Sequence, residues 1–285
     1  MTPSGRRIVS PRNPNELKAC DIRYNSAMRV PTAWESIIRK SSEEIKSHWK
    51  TFSHLWLSGK KIRRLLPKMF VSKIISRRLK RNASTIVDEV EKIKMTLSLS
   101  NDWFTENIPH WGYAFEKANL SSQNKISILE IGSWEGLSAV FFLSYFPEAT
   151  VDSVDTWEGG DEHKGFEAVL TAEQRFDQNT ASFPLRVRKF KGTSDAFFQN
   201  SSGHEKYRVA YIDGSHRAED VYNDSCNAFA RLEVGGLLIL DDLPWKFYDD
   251  ILDNPAAGMD RFLESHAGQY RVVHVAYQLY LIKTK

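Results

Sequence analysis

The stretch Ser127-Ile-Leu-Glu-Ile-Gly-Ser-Trp-Glu-Gly-Leu-Ser138 decides how the rest of the sequence is interpreted. Apolar residues run into an acid, a glycine and a serine, and a second glycine, Gly136, precedes an apolar run of helical length. This order predicts a buried strand, a tight glycine turn and the first turns of a helix. Such a turn offers unpaired amides and a positive dipole end to a nucleotide-like ligand. The spacing is E-x-G-S-x-x-G, not the G-x-G-x-x-G of dinucleotide enzymes, so the turn alone leaves plain strand–helix packing open.

Segments with the patterns of strands and helices alternate from this turn to the end of the sequence. Apolar runs typical of strands end near Asp155, Phe190, Asp213 and Asp241, with helix-like stretches between them. The last run, 270–282, is long enough for two strands that are joined by a tight turn. Alternating strands and helices with short loops favour a parallel sheet covered on both faces. The sequence therefore predicts an α/β fold with a doubly wound, mostly parallel seven-stranded sheet and a C-terminal antiparallel hairpin.

Acidic residues close four of the predicted strands, namely Glu130, Asp155, Asp213 and Asp241. Because the carboxyl ends of parallel strands share one edge, we expect these carboxylates to surround a ligand site. Asp155 follows the glycine turn by about 20 residues, where an acid can accept both ribose hydroxyls of a nucleoside cofactor. A solvent-facing strand cap is the alternative for this residue. Glu130 is placed either to neutralise a positive part of the ligand or to orient the amides of the turn.

Asp213, Asp241 and Asp242 follow two strands that would be neighbours in the sheet. Grouped carboxylates repel one another unless a cation or a proton lies between them. Oxygen ligands suit Mg²⁺ better than zinc, and a bound cation lowers the pKa of a substrate hydroxyl. His216, three residues after Asp213, is a candidate general base near neutral pH. The alternative is that these acids bond loop amides and hold no metal.

Residues 1–100 differ in composition from 101–285 and are predicted to form a basic, mainly helical extension of the main domain. The first 32 residues are rich in proline and polar side chains, which favours a mobile arm. Residues 36–82 contain 14 Lys or Arg and 2 Asp or Glu, whereas the whole chain has 39 and 36. Pro67 is expected to start or interrupt a helix in this segment.

The basic segment 36–82 has three interpretations. It is a helical extension that packs on the main domain and turns its charged face to water, or it contacts an anionic membrane surface or an acidic carrier. The third interpretation is nucleic-acid binding, although no known reading module matches the segment.

The composition also narrows the class of protein. No stretch approaches the ~20 apolar residues of a transmembrane helix. Arg6 and Arg7 have no apolar run behind them, so a secretory signal is not expected. Two cysteines in unrelated contexts, Cys20 and Cys226, favour reduced thiols over a disulfide or a zinc site. These features predict a cytoplasmic protein, and they leave homo-oligomerisation open.

Seven short motifs occur in chain order: Asp102-Trp-Phe with Asn107-Ile-Pro, Leu129-Glu-Ile-Gly-Ser-Trp-Glu-Gly-Leu-Ser138, Val154-Asp-Thr-Trp-Glu-Gly159, Arg175-Phe-Asp with Asn179, Gly192-Thr-Ser194, Tyr211-Ile-Asp-Gly-Ser-His216 and Gly235-Gly-Leu-Leu-Ile-Leu-Asp-Asp242. Together they resemble the class I S-adenosylmethionine-dependent methyltransferases, which have a Rossmann-like fold. More narrowly, they resemble the small-molecule O-methyltransferases related to macrocin and rhamnosyl O-methyltransferases and to cephalosporin hydroxylase-like proteins. The resemblance covers 102–285 and no part of 1–100.

The resemblance implies a set of residues that bind S-adenosylmethionine. The residues that would shape the methionine and sulfonium end are Glu130, Gly132, Ser133, Gly136 and Ser138. Those that would hold the ribose and the adenine are Asp155, Trp157, Thr193 and Ser194. Asp213 is included in the cofactor site because it ends the neighbouring strand.

The resemblance also implies a metal site and a base. Catechol-type O-methyltransferases place metal ligands at the ends of the fourth and fifth strands, with a base lysine three residues after the first ligand. Asp213, Asp241 and Asp242 fit the ligand positions here, and His216 stands in the place of the lysine.

The implied activity is transfer of a methyl group from S-adenosylmethionine to a hydroxyl of a small molecule or sugar, with Mg²⁺ as the second candidate cofactor. One alternative is methylation of RNA or protein, with the basic segment 36–82 holding the polymer. Another is a non-catalytic cofactor-binding module in a larger assembly. The grouped acids argue against this last alternative, because a pure binding module has no need of them.

Overall fold

The glycine turn begins where the central strand of a seven-stranded sheet ends. The computed structural model describes residues 50–201, 203 and 205–285, which belong to one compact unit, Ser47–Lys285. The strands are β1 (Ser127–Ile131), β2 (Thr150–Asp155), β3 (Val187–Lys191), β4 (Tyr207–Ile212), β5 (Leu232–Leu240), β6 (Tyr270–Val275) and β7 (Leu279–Lys283). Their order in the sheet is β3-β2-β1-β4-β5-β7-β6.

The sheet confirms the predicted fold class. Strands β1 to β5 pair in parallel, and β7 runs antiparallel between β5 and β6, so the C-terminal hairpin is present as expected. The chain builds outward from β1 to β3 and then returns to place β4 on the other side of β1. Such a reversal leaves a crevice at the carboxyl ends of β1 and β4, which is where open α/β sheets bind ligands.

Helices cover both faces of the sheet. They are α1 (Lys60–Asn82), α2 (Ser84–Lys94), α3 (Ile108–Lys117), α4 (Leu137–Tyr145), α5 (Val169–Thr180), α6 (Ser194–Asn200), α7 (Ala218–Arg231) and α8 (Pro255–Ser265). Alternate residues of β5 enter different cores: Leu237 and Ile239 pack with α3 and α4, while Leu238 and Leu240 pack with α7 and α8. This alternation follows from the period of two along a strand. It explains why Leu237–Leu240 is an unbroken apolar run.

The basic segment forms a long helix that crosses its proline. Pro67 lies inside α1, so the prediction that it would start or interrupt a helix is wrong. Pro67 is exposed, and the one backbone hydrogen bond that it removes lies on the side of the helix where water can replace it. Residues 50–58 are also helical. The predicted mobile arm and Cys20 lie outside the described residues, and the boundary at residue 100 stays a prediction.

Helix α1 is docked at its first turn and along one side. Asp260 of α8 accepts hydrogen bonds from the backbone amides of Lys61 (2.6 Å) and Ile62 (2.8 Å) and so caps the helix. No α1 residue provides an acid in that turn, and an acid at a helix N-terminus is favoured by the dipole. None of the helices in the described part of the chain is long and apolar enough to cross a membrane.

Two neutral histidines meet under α1. His110 Nδ1 and His274 Nε2 are 2.8 Å apart, and Ser72 Oγ of α1 lies 3.4 Å from His274 Nδ1. Burial and the neighbouring His110 lower the pKa of His274 to about 4. Burial and the charge of Lys80 also lower the pKa of His110. The pair is therefore stable only while at least one ring stays neutral.

The low pKa of His274 predicts that the stability of the fold depends in part on pH. The pKa of His274 is lower in the folded chain than in the unfolded chain, so its contribution is present above pH 6.5 and is lost as the pH falls towards about 4. We expect acid to lower the free energy of unfolding of the wild type by on the order of 2 kcal/mol through His274. The His274→Gln variant should lack this acid-dependent loss. Thermal unfolding of both proteins at pH 7 and pH 4.5 measures it.

A difference in melting temperature between wild type and variant that stays the same at both pH values would contradict this prediction. His266→Gln provides the matched control: this ring also packs on aromatic side chains, Phe229 and Phe262, but no carboxylate or second histidine pairs with it in the described chain.

Candidate active site

The glycine turn is held against the end of β4 by a close backbone contact. Gly132 has φ +87° and donates from its amide to Val154 O (2.8 Å). A Cβ atom at this position would lie 1.8 Å from Asp213 O, so only glycine fits. Gly136, with φ +83°, then begins α4. The contact brings the ends of β1 and β4 together, as the sequence predicted for their acids.

Glu130 is buried beneath this turn. One carboxylate oxygen accepts from Ser138 Oγ (2.5 Å) and the other accepts from Ser153 Oγ (3.1 Å). Burial raises the pKa of Glu130. No part of this residue is exposed, and its carboxylate ties the first turn of α4 to β2. Its role towards a ligand stays a prediction.

Asp155 lies at the end of β2 and holds two backbone amides. Oδ2 accepts from Trp134 N (2.8 Å), and Oδ1 accepts from Trp157 N (2.7 Å). Both tryptophans have positive φ, 45° and 55°, which these hydrogen bonds help to stabilise. Burial raises the pKa of Asp155. A carboxylate has about four lone-pair sites, so Asp155 can still accept from a ligand.

The residues expected near an adenine ring have different surroundings. Trp157 is buried, its ring packs on Phe176, and Lys189 Nζ lies 4.6 Å from the ring centre. Thr193 Oγ1 accepts from Ala196 N (3.2 Å) and caps α6, of which Ser194 is the first residue. Thr193 and Ser194 therefore follow the end of β3, on the far side of β2 from the glycine turn.

A group of aromatic rings covers the turn. Trp134 stacks on His163 with a centroid distance of 5.1 Å, and Trp103 and Phe166 lie within 6.2 Å of Trp134. Trp103 is 57% exposed and Phe166 is 37% exposed. An apolar or planar group could be held against these rings.

The acids at the ends of β4 and β5 share one tyrosine. The hydroxyl of Tyr211 lies 2.7 Å from Asp213 Oδ2 and 2.5 Å from Asp241 Oδ2. A hydroxyl has one proton, so both contacts are hydrogen bonds only when one of the two aspartates is protonated. Burial and the charges of Asp241 and Asp242 raise the pKa of Asp213 well above its usual range. Burial and Asp242 raise the pKa of Asp241 to about 7.

His216 lies between two carboxylates. Its Nδ1 is 2.9 Å from Glu162 Oε1, and its Nε2 is 2.6 Å from Asp242 Oδ2. Carboxylates only accept, so both ring nitrogens must carry protons. Burial alone would lower the pKa of His216, but the hydrogen bonds to Asp242 and Glu162 raise it to about 10. In this arrangement His216 is a cation at neutral pH and cannot take a proton until it loses a partner.

One set of ligand atoms has the geometry of a cation site. Atoms of Asp213, His216 and Asp242 all lie within 4.8 Å of one another. Asp241 is engaged elsewhere: Tyr211 and Gln278 donate to Oδ2, and the amide of Asp242 donates to Oδ1 (2.7 Å). Its predicted role as a metal ligand stays a prediction, and it requires Asp241 to change partners.

Sequence reasoning missed three residues of this site. Gln278 donates to Asp241 and accepts from Trp111 Nε1 (2.6 Å), and Tyr277 Oη donates to Asp242 Oδ1 (2.7 Å). Both residues lie in the turn between β6 and β7. A strand antiparallel to β5 must begin at the carboxyl end of β5, so the predicted hairpin already placed its turn beside the acids. Glu162 gave no comparable signal.

A separate cleft lies at the end of the sheet opposite to the acid cluster. It has a volume of about 490 Å³ and is lined by residues that include Ser127, Thr150, Arg208 and Glu233. These residues start or precede strands, whereas ligands in such sheets bind where strands end. We therefore assign the active site to the carboxyl edge.

The chain was compared with known proteins. Residues 129–243 match the family model that is described as a methyltransferase domain. A search of curated proteins found no match. MycE, a methyltransferase from the mycinamycin biosynthetic pathway in complex with Mg, SAH and mycinamycin VI, is 15% identical with a TM-score of 0.49; the match covers 70% of this chain and 53% of MycE. The chain thus spans about half the length of MycE.

Two further solved structures have similar folds. A putative O-methyltransferase from Klebsiella pneumoniae is 16% identical, with a TM-score of 0.47 and coverage of 70% of this chain and 90% of that chain. TomG from Streptomyces achromogenes, an O-methyltransferase involved in tomaymycin synthesis and solved with SAM, is 15% identical, with the same TM-score of 0.47 and the same coverage. Residues 129–243 therefore match a methyltransferase domain, and this segment includes β2 to β5 and most of β1.

The contact between Gly132 and Asp213 predicts a large effect of one methyl group. Gly132→Ala introduces both an unfavourable φ and an overlap with a backbone carbonyl, and we expect a loss of about 2–5 kcal/mol. Gly268→Ala is the matched control, because Gly268 has φ +81° and nothing within 4 Å of the added Cβ. The control should lose about 1–2 kcal/mol. Equal losses by chemical unfolding would contradict the proposed contact.

Proposed function

We propose that this chain is an S-adenosylmethionine-dependent O-methyltransferase that acts on a hydroxyl group of a small molecule or sugar. The observation that carries the proposal is that the backbone of Asp213, whose side chain groups with those of His216 and Asp242, contacts Gly132 of the glycine turn. A hydroxyl held by this cluster would be adjacent to a ligand on the turn. The grouped acids also favour this function over a non-catalytic binding module.

The residues around the turn fit a nucleoside cofactor. Gly132 lets the backbone of Asp213 approach the turn, and the turn leads through Gly136 into the N-terminus of α4. Ser133 Oγ is buried and has no hydrogen-bond partner in the described chain, which makes it a candidate to bond the ligand. Asp155 keeps free lone pairs for ribose hydroxyls. Bound there, S-adenosylmethionine supplies an electrophilic methyl group.

The acid cluster fits a divalent cation. Burial and mutual repulsion raise the pKa values of Asp213 and Asp241, so positive charge is favoured between these carboxylates. Carboxylate oxygens of Asp213 and Asp242 are close enough to each other to share an ion such as Mg²⁺, which prefers oxygen ligands. A cation held there would lower the pKa of a substrate hydroxyl.

His216 and Glu162 supply the acid–base chemistry in this proposal. If a cation takes over Asp242, the pKa of His216 falls and the ring can release its Nε2 proton to water, while Nδ1 keeps donating to Glu162. The neutral Nε2 can then accept the proton of the substrate hydroxyl. Glu162 then fixes the ring and its tautomer, as does the stacking of His216 on Trp245 at 4.4 Å. General-base assistance of this kind contributes about 10²–10⁴-fold in rate. Tyr211 and Gln278 position the acids, because they hold Asp241.

The role of Asp155 can be tested by cofactor binding. Asp155→Asn keeps the shape of the side chain but removes its charge, and we expect S-adenosylhomocysteine to bind about 10–100-fold more weakly, the effect of losing hydrogen bonds to a charged group. Isothermal titration calorimetry measures the dissociation constant. Asp177→Asn, at an exposed acid on α5, is the control and should bind normally. Wild-type affinity in Asp155→Asn would refute the ribose assignment.

The activity itself can be tested without knowing the acceptor. Methyl-labelled S-adenosylmethionine is incubated with the full chain and with fractions of a cell extract, with and without Mg²⁺. We expect label to enter a small-molecule fraction, and Asp213→Asn to lower the rate at least about 10²-fold while cofactor binding is kept. Asp253→Asn, on the exposed turn before α8, is the control. Label in RNA or protein alone would favour the polymer alternative, and the absence of label from every fraction would contradict an enzyme.

A further inference from the structure

The outward face of α1 is basic and apolar at the same time. The helix has 23 residues, none of them acidic. It contains ten basic residues, namely Lys60, Lys61, Arg63, Arg64, Lys68, Lys73, Arg77, Arg78, Lys80 and Arg81. A charged face that only keeps a helix in solution normally mixes both signs. The complete lack of acids on α1 therefore points to a negatively charged partner.

Docking on the domain fixes which side of α1 faces outward. Ile62 and Leu65 are buried in the core that contains α7 and α8, and Leu79 is also buried. The first turn is capped by Asp260, and Ser72 touches the histidine pair. The inner side of α1 thus contacts the rest of the domain, and the residues on the opposite side of the helix face outward.

Three large apolar side chains lie on that outer side. Phe70 is 67% exposed, Val71 is 53% exposed and Ile74 is 66% exposed. Ile74 follows Phe70 by four positions and Val71 by three, so the three side chains are neighbours on the helix surface. A single exposed apolar residue is ordinary, but a cluster of this kind on a rigid helix indicates a contact surface.

Cations without an acidic partner in the described chain stand at both ends of this apolar cluster. Arg64 and Arg78 lie seven positions before and after Val71, and Arg81 lies seven positions after Ile74, which is two helical turns. Within the described chain, no carboxylate pairs with Arg64, Lys73, Arg78 or Arg81. By contrast, Lys61 and Lys80, nearer the inner side, pair with Glu264 (3.2 Å) and Glu106 (3.5 Å).

We propose that α1 binds the surface of an anionic lipid bilayer, lying in the interface with Phe70, Val71 and Ile74 inserted among the lipids. Apolar side chains flanked by arginine and lysine on the exposed side of one helix match this kind of surface, because cations meet the headgroups while the apolar residues enter the acyl boundary. Nucleic acid would use the cations and leave the apolar cluster in water. The proposal is independent of methyl transfer.

The test is flotation of the full chain with lipid vesicles. Vesicles of phosphatidylcholine mixed with phosphatidylserine are compared with vesicles of phosphatidylcholine alone, at low and high salt. We expect the chain to float with the anionic vesicles, to stay in solution with the neutral ones, and to bind less at high salt.

Two variants separate the two parts of the surface. Arg64→Gln/Arg78→Gln/Arg81→Gln should weaken binding roughly a hundredfold, at about fivefold for each cation. Phe70→Ser/Ile74→Ser keeps every charge and should weaken binding roughly tenfold or more. Both sets of positions are exposed, so folding, followed by thermal unfolding, should be kept. Leu185→Ser, at a position that is 93% exposed, and Lys92→Gln on α2 are the matched controls and should bind as the wild type does.

The outcomes divide clearly. Salt-sensitive binding to anionic vesicles that is lost in both variants supports the proposal. Failure to float, equal binding to neutral vesicles, or binding that survives the loss of Phe70 and Ile74 overturns it. Tight binding of RNA that depends on the arginines alone, with no vesicle binding, likewise overturns it and assigns the face to nucleic acid.

Discussion

The site depends on a close approach of two backbones. Because Gly132 has no side chain, the turn after β1 rests on the carbonyl of Asp213 at the end of β4. The sheet reverses its direction of growth between these two strands, so they must be neighbours, but neighbouring strands alone would not bring the turn and the acids into contact. The absence of a Cβ atom at Gly132 allows that contact. Any cofactor on the turn therefore lies a short distance from the acid cluster.

The acid cluster is a balance of buried charges. The protein places Asp213, Asp241 and Asp242 together and stabilises them with a shared tyrosine, an amide from Gln278 and the His216 cation. Each partner neutralises or satisfies one carboxylate, because a buried unpaired charge would be strongly destabilising. The same feature makes the cluster responsive: a cation that takes over Asp242 would release His216 from its cationic state. The hydrogen bond of 2.6 Å between His216 Nε2 and Asp242 Oδ2 thus links the charge of the cluster to the protonation of His216.

The sequence predicted the fold well because the signal is repeated in every strand. The mostly parallel sheet and the C-terminal hairpin follow from alternating apolar segments, and each acid was expected at a strand end. Pro67 was misjudged, since propensity cannot tell which side of a helix the missing hydrogen bond will face. Gln278 and Glu162 were missed because their roles arise from loops that approach from distant parts of the chain. The protonation of His216 depends on two such partners, so its sequence position alone suggested a base.

The cap on α1 has a consequence for the smallest piece of the chain that can fold. Asp260 belongs to α8, yet its carboxylate is occupied by amides nearly two hundred positions earlier, at Lys61 and Ile62. Cutting the polypeptide between α2 and the segment that matches the methyltransferase family would leave that carboxylate without its donors and uncover the side of α8 around Met259 and Phe262. The compact unit Ser47–Lys285 is accordingly longer than the segment 129–243 that matches the family model, and α1 and α2 belong to it.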